Sequence, residues 1–414
     1  MKVQLIFSHI QRWFLCFCTV QSLFVVLAAG FLVSCVEDSD PDFEKETFTS
    51  IYDHDEFSST FYPIDVAQTP DGGYLILAEQ KIVESNFRGV YLLRADEFGD
   101  FVKELRLEEQ YVNPVGRLMD IGGEYYFFAM DALSLQAQLV KVDAQAEAAS
   151  VVPVGGITYP SAGSLDGTNF LLLSYNHTDK NSVVSIHNAT GDLIREPKQF
   201  SIGAGDDVEE PIMNHFIHTG RKFPFQVGRT SGLYFFNGFE NYTFSLVFTD
   251  MMKEGPIGVV QGQQDDGGFS AVLPLSNDRF AASRFNFGDN YFLPGIDLPT
   301  NGPAVGSYLG GLMLPELIPN APVKILHATI GSTSTLIYAS DTRSNQIGLF
   351  FYKEDTGEFI SSRYLGFSNR FEIAALIRTA DDGLAVCGTT WLAGRFPRIC
   401  LFKISKEELS RQVE

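Results

Sequence analysis

Asp206, Asp207, Glu209 and Glu210 form a tight run of carboxylates, and His215 and His218 follow within eight residues. Two carboxylates held at a fixed separation over a substrate can serve as general acid and base. Imidazoles beside carboxylates are suitable donors for a divalent metal. Neither chemistry is specified by these residues. With 51 Asp and Glu among 414 residues, carboxylates cluster by chance. Two imidazoles three positions apart lack the second half of a metal site. No zinc-type cysteine spacing and no Asp-x-Asp-x-Asp-Gly calcium loop occur. A Gly-x-Ser-x-Gly elbow and a Gly-x-x-x-x-Gly-Lys phosphate loop are also missing. The Ser-x-Asp-x-Gly-x-x-Trp box of sialidase-like folds does not appear either. The sequence therefore assigns no catalytic residue, no metal ligand and no cofactor, and it leans away from an enzyme.

The cysteines carry more information. Residues 1–34 hold two charges, Lys2 and Arg12, ahead of an apolar run from Trp13 to Val33 that ends in Leu32-Val33-Ser34-Cys35. This is a basic segment, an apolar segment and a small residue before a cleavage point. The Leu-Val-Ser-Cys ending resembles a bacterial lipobox, in which the cysteine takes a lipid and the leader is cut in front of it. The resemblance implies lipid attachment at Cys35. A plain membrane-spanning anchor is the competing reading, because the apolar run is long enough to cross a bilayer. Residues 35–45 read as an acidic, flexible tether without apolar period. An acidic cluster after the lipid cysteine also resembles the surface-export signal of Bacteroidota-type lipoproteins. Cys387 and Cys400 remain in the folded part, on either side of a turn at Leu392–Pro397. A cross-strand disulfide and two buried free thiols are the alternatives.

Composition narrows the partners. The formal net charge is −21, and loss of residues 1–34 would remove two positive charges more. Such a chain does not neutralise a phosphate backbone, so no nucleic acid is expected. Aromatics make up 13% and charged residues only 20%, which excludes a disordered chain.

The elements that must position any site follow from a repeat. Turns at Gly72, Gly123, Gly167, Gly232, Asp278, Gly331 and Gly383 each precede an apolar strand. The next strand ends at Asp96, Asp143, Asn188, Asp250, Asp297, Asp355 and Ser405. Both series give seven units of about fifty residues, a size that suits four short strands. The strands are apolar on both faces, as in Tyr74–Leu77, Tyr125–Phe128 and Leu349–Tyr352, so each sheet is covered on both sides. Radially stacked sheets meet that requirement. The sequence thus predicts an all-β fold, a single β-propeller over 46–410. Seven blades fit best, six and eight being the alternatives. The spare strand at 46–52 is predicted to close the ring as the outer strand of the last blade.

Thr69-Pro-Asp-Gly-Gly-Tyr-Leu-Ile76, then Val90-Tyr-Leu-Leu-Arg-Ala-Asp96, resembles the blades of Bacteroidota-type outer-membrane propeller lipoproteins. Arg378–Gly388 and Arg398–Ile404 repeat the pattern at the other end of the chain. The group is functionally mixed, so the resemblance implies architecture and an outer-membrane, cell-surface address but no reaction. Two insertions break the period, one over 203–229 and one over 298–320. The second is apolar for a loop, with Leu309, Leu312, Met313 and Leu314. Insertions in repeat folds collect on one face, which is often the binding face. Both are read as irregular partner-binding loops, the first as a polar one. The expected function is protein interaction or complex scaffolding at the envelope, with the membrane and another envelope protein as partners. A glycan- or peptide-binding or -degrading propeller is one alternative, and an architectural envelope protein without a ligand is another.

Overall fold

The computed structural model describes residues 46–53, 59–276, 279–392 and 395–414. The leader 1–34, Cys35, the tether 35–45 and Asp278 lie outside the described residues. Over Glu46–Glu414 the chain is one unit, and its architecture is all-β and of the propeller type.

Strand β1 (Phe48–Tyr52) precedes a first group of β2 (Phe61–Gln68), β3 (Tyr74–Lys81), β4 (Arg88–Ala95) and β5 (Phe101–Arg106). A second group holds β6 (Tyr111–Ile121), β7 (Glu124–Asp131), β8 (Gln136–Asp143) and β9 (Ala149–Thr158). The third holds β10 (Pro160–Asp166), β11 (Asn169–Asn176), β12 (Asn181–His187) and β13 (Lys198–Ser201). After helix α1 (Asp206–Phe216) comes the fourth, β14 (Gln226–Arg229), β15 (Tyr234–Glu240), β16 (Thr243–Thr249) and β17 (Gly258–Gln261). The fifth has β18 (Gly267–Pro274), β19 (Phe280–Asn286) and β20 (Asp289–Ile296). Strands β21 (Gly302–Val305) and β22 (Leu312–Met313) follow it. The sixth is β23 (Val323–Ile330), β24 (Thr333–Asp341), β25 (Ile347–Lys353) and β26 (Phe359–Leu365). The last is β27 (Phe371–Arg378), β28 (Leu384–Leu392) and β29 (Phe396–Ile404), followed by α2 (Lys406–Ser410).

Hydrogen bonding joins these strands into six sheets among the described residues. The first and second groups merge only through the single pair Gly89↔Val112. Within each group the strands run antiparallel in chain order. Strand β1 pairs with β29 over Phe48↔Lys403 to Tyr52↔Ile399, as the outer strand of the last sheet. Apolar runs form the middle strands because both of their faces are buried, as in Leu75, Ile76 and Leu77, each 0% exposed.

One apolar cluster bridges each pair of consecutive groups. Leu77 and Leu92 meet Phe127 between the first and second, and Phe128 meets Phe170 between the second and third. The series continues through the remaining groups. Between the seventh and first, Ala375, Cys387 and Leu401 pack on Phe61, Tyr74 and Ile76. The first strands of consecutive groups are neighbours throughout, and β27 also lies beside β2.

The Thr-x-Asp-x-Gly motif is a turn clasp. Thr69 Oγ1 donates to Asp71 Oδ1 (2.6 Å), and the Arg94 guanidinium on β4 donates to the same carboxylate at 2.6 and 2.7 Å. In the last group Thr379 donates to Asp381, and Lys403 on β29 donates to it at 2.6 Å. Gly72, at φ 88°, takes a conformation that a side chain would strain.

One expectation is corrected: the 203–229 insertion contains a helix rather than an irregular polar loop. Of the two alternatives for the cysteines, the structure has two buried free thiols. The register pairs Cys387 with Leu401 and Gly388 with Cys400. That one-residue offset sends the two side chains to opposite faces of the sheet. Cys387 packs toward the first group and Cys400 toward the sixth. Both are free and 0% exposed, and burial pushes both thiols up. Dithiothreitol should therefore leave the melting temperature unchanged. A thiol reagent should modify neither residue until the protein is denatured, and a reductant-sensitive melt would refute the assignment.

Candidate functional site

In an antiparallel four-stranded group, the start of the first strand and the turn between the second and third strands lie at one end. Helix α1 and the segment after it pack on that end of the second to fifth groups. The helix has poor intrinsic material, including an internal Pro211 that lacks a donor. Asp206, Asp207 and Glu209 in its first turn complement the helix dipole. Burial does the rest. Ile212 and Phe216 enter a cluster with Phe223, Val112, Met130, Tyr159, Tyr175, Phe239, Phe244 and Phe285. This cluster draws on the second to fifth strand groups, with Ile82 and Phe87 of the first packed at its edge. Phe244 is its hub, with ring centroids 5.3 Å from Phe223, 5.3 Å from Phe239 and 5.6 Å from Phe225.

Polar contacts lock this cap at two places. Glu209 is 7% exposed. It accepts from the Tyr175 hydroxyl at 2.7 Å, contacts His177 Nδ1, and lies 3.5 Å from Lys180 Nζ. Burial opposes its ionisation, but Tyr175, His177 and Lys180 outweigh that and hold the carboxyl below its ordinary range. On the other side Glu79 pairs with Arg88 at 2.6 Å, and Arg88 also lies over the Tyr62 ring at 3.9 Å. Arg88 donates to the His218 carbonyl, Lys222 to the His215 carbonyl, and Asn113 to the Phe216 carbonyl, each at 2.8 Å.

The sequence-selected residues therefore separate. Asp206, Asp207 and Glu210 are exposed, and Asp206 is 3.2 Å from Lys180. His215 has Phe225 and Phe216 against its ring and accepts from the Phe223 amide at 2.9 Å; burial pushes its pKa well down. His218 turns instead to the Asn86 carbonyl at 3.1 Å. The two imidazoles do not converge. No group of three or more His, Cys, Asp or Glu positioned to hold a metal occurs among the described residues.

The second insertion is a strap. Its β21 adds in parallel to β17 as a fifth strand of the fourth group, and β22 returns to pair with β20. Leu309 and Leu314 are half-buried against the fourth–fifth and fifth–sixth interfaces. Leu312 and Met313 stay exposed, as does Tyr308 at 87%.

Two constellations escaped the sequence. Ser334, His327 and Glu354 form a cluster of the types found in a nucleophile relay. His327 Nε2 is 2.8 Å from Ser334 Oγ and 3.0 Å from Glu354 Oε2. Both partners use one ring nitrogen, and the serine itself donates to Glu354. A relay needs the acid on the other nitrogen, so this cluster braces a turn and does not activate an alkoxide. The other constellation lies among the first strands. Asp65 on β2, Arg117 on β6 and Lys324 on β23 come within electrostatic reach of one another. Asp65 accepts from the Leu118 amide at 2.6 Å, while Asp341 at the end of β24 accepts from the Ile373 amide at 2.6 Å.

No protein-family model and no curated protein matches the chain. Solved structures do. The β-propeller domain of the Trilobed protease from Pyrococcus furiosus is similar at 8% identity and a TM-score of 0.49, over 84% of this chain and 95% of that one. The acylaminoacyl peptidase of Pyrococcus horikoshii is similar at 10% identity and 0.46, over 82% of this chain and 52% of that one. A prolyl endopeptidase structure is similar at 10% and 0.42, over 83% and 50%. This chain spans about half the length of those two peptidases, and their activity is a property of those proteins.

Proposed function

We propose that the chain is a seven-bladed β-propeller, closed by β1. In this reading a lipid at Cys35 holds it to the outer membrane at the cell surface, and its capped face binds another envelope protein. Seven strand groups, the packing of the seventh on the first, and the β1–β29 pairing support the closed ring. The lipobox resemblance supports the anchor.

The observation that carries the interaction reading is the cap itself. An apolar aromatic cluster lies beneath α1 where the second-to-third-strand turns of the second to fifth groups project. A deep polar mouth for a glycan or peptide is therefore not available beneath α1. Around the cap, the same turns expose single apolar side chains: Val83 (83%), Leu133 (92%), Tyr242 (48%) and Phe287 (68%). Exposed apolar residues rimming a rigid scaffold favour protein docking over catalysis.

Affinity purification of the tagged, full-length protein from its native envelope in mild detergent tests this. A stoichiometric envelope protein should be recovered with the wild type and lost with Leu133→Glu/Phe287→Glu. Recovery of the protein alone, or equal recovery by the double variant, would overturn the reading.

A further inference from the structure

Buried cations in this fold come with carboxylates, with one exception. Four basic residues are buried among the described ones: Arg94, Arg284, Arg398 and Lys403. Arg94, Arg398 and Lys403 each hold a carboxylate at 2.6–2.7 Å. Arg284, on β19, is 6% exposed and has no ion pair among the described residues. Its Nε donates to the Gly310 carbonyl at 2.8 Å, and its guanidinium lies 3.9 Å from the centre of the Tyr291 ring. A ring face and one carbonyl attract a cation but do not neutralise it. Burial accordingly pushes the Arg284 pKa down.

Of the three guanidinium nitrogens only Nε finds an acceptor among the described residues, and the other two are not sealed from solvent. They open on a crevice at the junction of the fourth and fifth groups, which Arg284 lines. Gln261, Gln263, Asn286 and Ser307 line it too, together with four glycines, and no carboxylate is among the lining residues. The acids next to it in sequence, Asp265 and Asp266, face Arg221 at 3.6 and 3.8 Å. Ser307 belongs to the strap, as does Gly310, so the strap forms one wall of the crevice. The space is about 10 Å³, room for one particle the size of a water molecule.

We propose that this crevice holds one halide ion, chloride above all, against the Arg284 guanidinium. A monatomic anion fits where a water fits, and it brings the negative charge that water lacks. Asn and Gln amides and a serine hydroxyl all carry donors that can turn toward an anion. Phosphate and sulfate need several times the room, so size selects the halide. The site depends on β17, β18, β19 and the strap, not on the lipid anchor or on an envelope partner. A failed purification of a partner therefore leaves it standing.

Thermal unfolding at pH 7 and constant ionic strength, with sodium chloride replacing sodium gluconate, tests the site. Gluconate is too large for the crevice and serves as the reference. The wild-type melting temperature should climb by about 2 °C for each tenfold rise in chloride beyond its Kd. Arg284→Met has no charge to bury, so in gluconate it should be at least as stable as the wild type, and its melt should ignore chloride. Arg284→Gln keeps N–H donors without the charge. It should lose the chloride response as well, and it keeps the test open if the Met variant misfolds. Wild-type crystals soaked in sodium bromide should show an anomalous peak beside the Arg284 guanidinium that Arg284→Gln lacks. No chloride response in the wild type, or an equal response in both variants, would overturn the proposal. A bromide peak without a chloride response in solution is binding at crystal concentration only, and overturns it too.

Discussion

Phe244→Ala should remove about 3–5 kcal/mol of stability, the range for an aromatic deleted from a tight core. Phe244 is 0% exposed and contacts Phe223, Phe225, Phe239 and Phe285. The site has little room to collapse. A Cβ placed on Gly268 would lie 2.7 Å from the Phe244 ring, so the backbone of β18 already rests on it. The loss would be a large part of a typical domain's total stability. Phe223 belongs to the segment that follows α1, so the cavity lies directly beneath the cap. The cap should therefore loosen before the sheets do. Denaturant unfolding measures the first effect, and limited proteolysis within 203–229 the second. Phe244→Leu, which refills most of the volume, should recover the greater part of both. A Phe244→Ala loss below about 1 kcal/mol, with 203–229 still protected, would show that the aromatic cluster does not hold the cap.

The repeat was legible because each hairpin makes a chemical demand at a fixed place. Gly72, Gly123, Gly167 and Gly331 occupy turns between first and second strands at φ of 60–88°. The acids and amides that close the third strands accept backbone amides of the turns they begin. Asp96 takes Phe98 and Asp100, Asp143 takes Gln145 and Glu147, and Asp250 takes Met252 and Lys253. Turn chemistry is local, so it survives in the sequence as a period. What depends on tertiary burial does not survive. Helix α1 carries Pro211 and weak formers, and only the aromatic cluster beneath it makes it helical. The separate fates of Cys387 and Cys400 turn on a single residue of register. Glu209 stood among four similar acids, and nothing local marked it as the one that meets Tyr175 and His177. Asp65 accepts from the Leu118 amide at 2.6 Å across 53 positions of sequence, a contact that exists only because the first two groups pack side by side.

Asp341 makes stability fall as pH rises. Burial pushes its carboxyl to about 8, although the Ile373 amide, Arg370 and Lys324 pull the other way; Glu372 adds to the rise. The folded protein then binds this proton more tightly than the unfolded chain, whose aspartate titrates near 3.9. The contribution is fully present below about pH 4. It drains away as pH climbs toward 8 and is flat above that. Asp341→Asn keeps an oxygen to accept the Ile373 amide at the observed 2.6 Å and has no charge to desolvate. Relative to wild type, the variant should be equally stable near pH 4. It should gain steadily through pH 5–8 and be more stable by about 3 kcal/mol or more at pH 9, at about 1.4 kcal/mol for each unit of displaced pKa. The other carboxylates titrate in both proteins and cancel in the difference, which isolates this one group. Denaturant midpoints at pH 4, 6.5 and 9 measure it. Parallel pH profiles for the two proteins would mean that Asp341 is ionised in the fold.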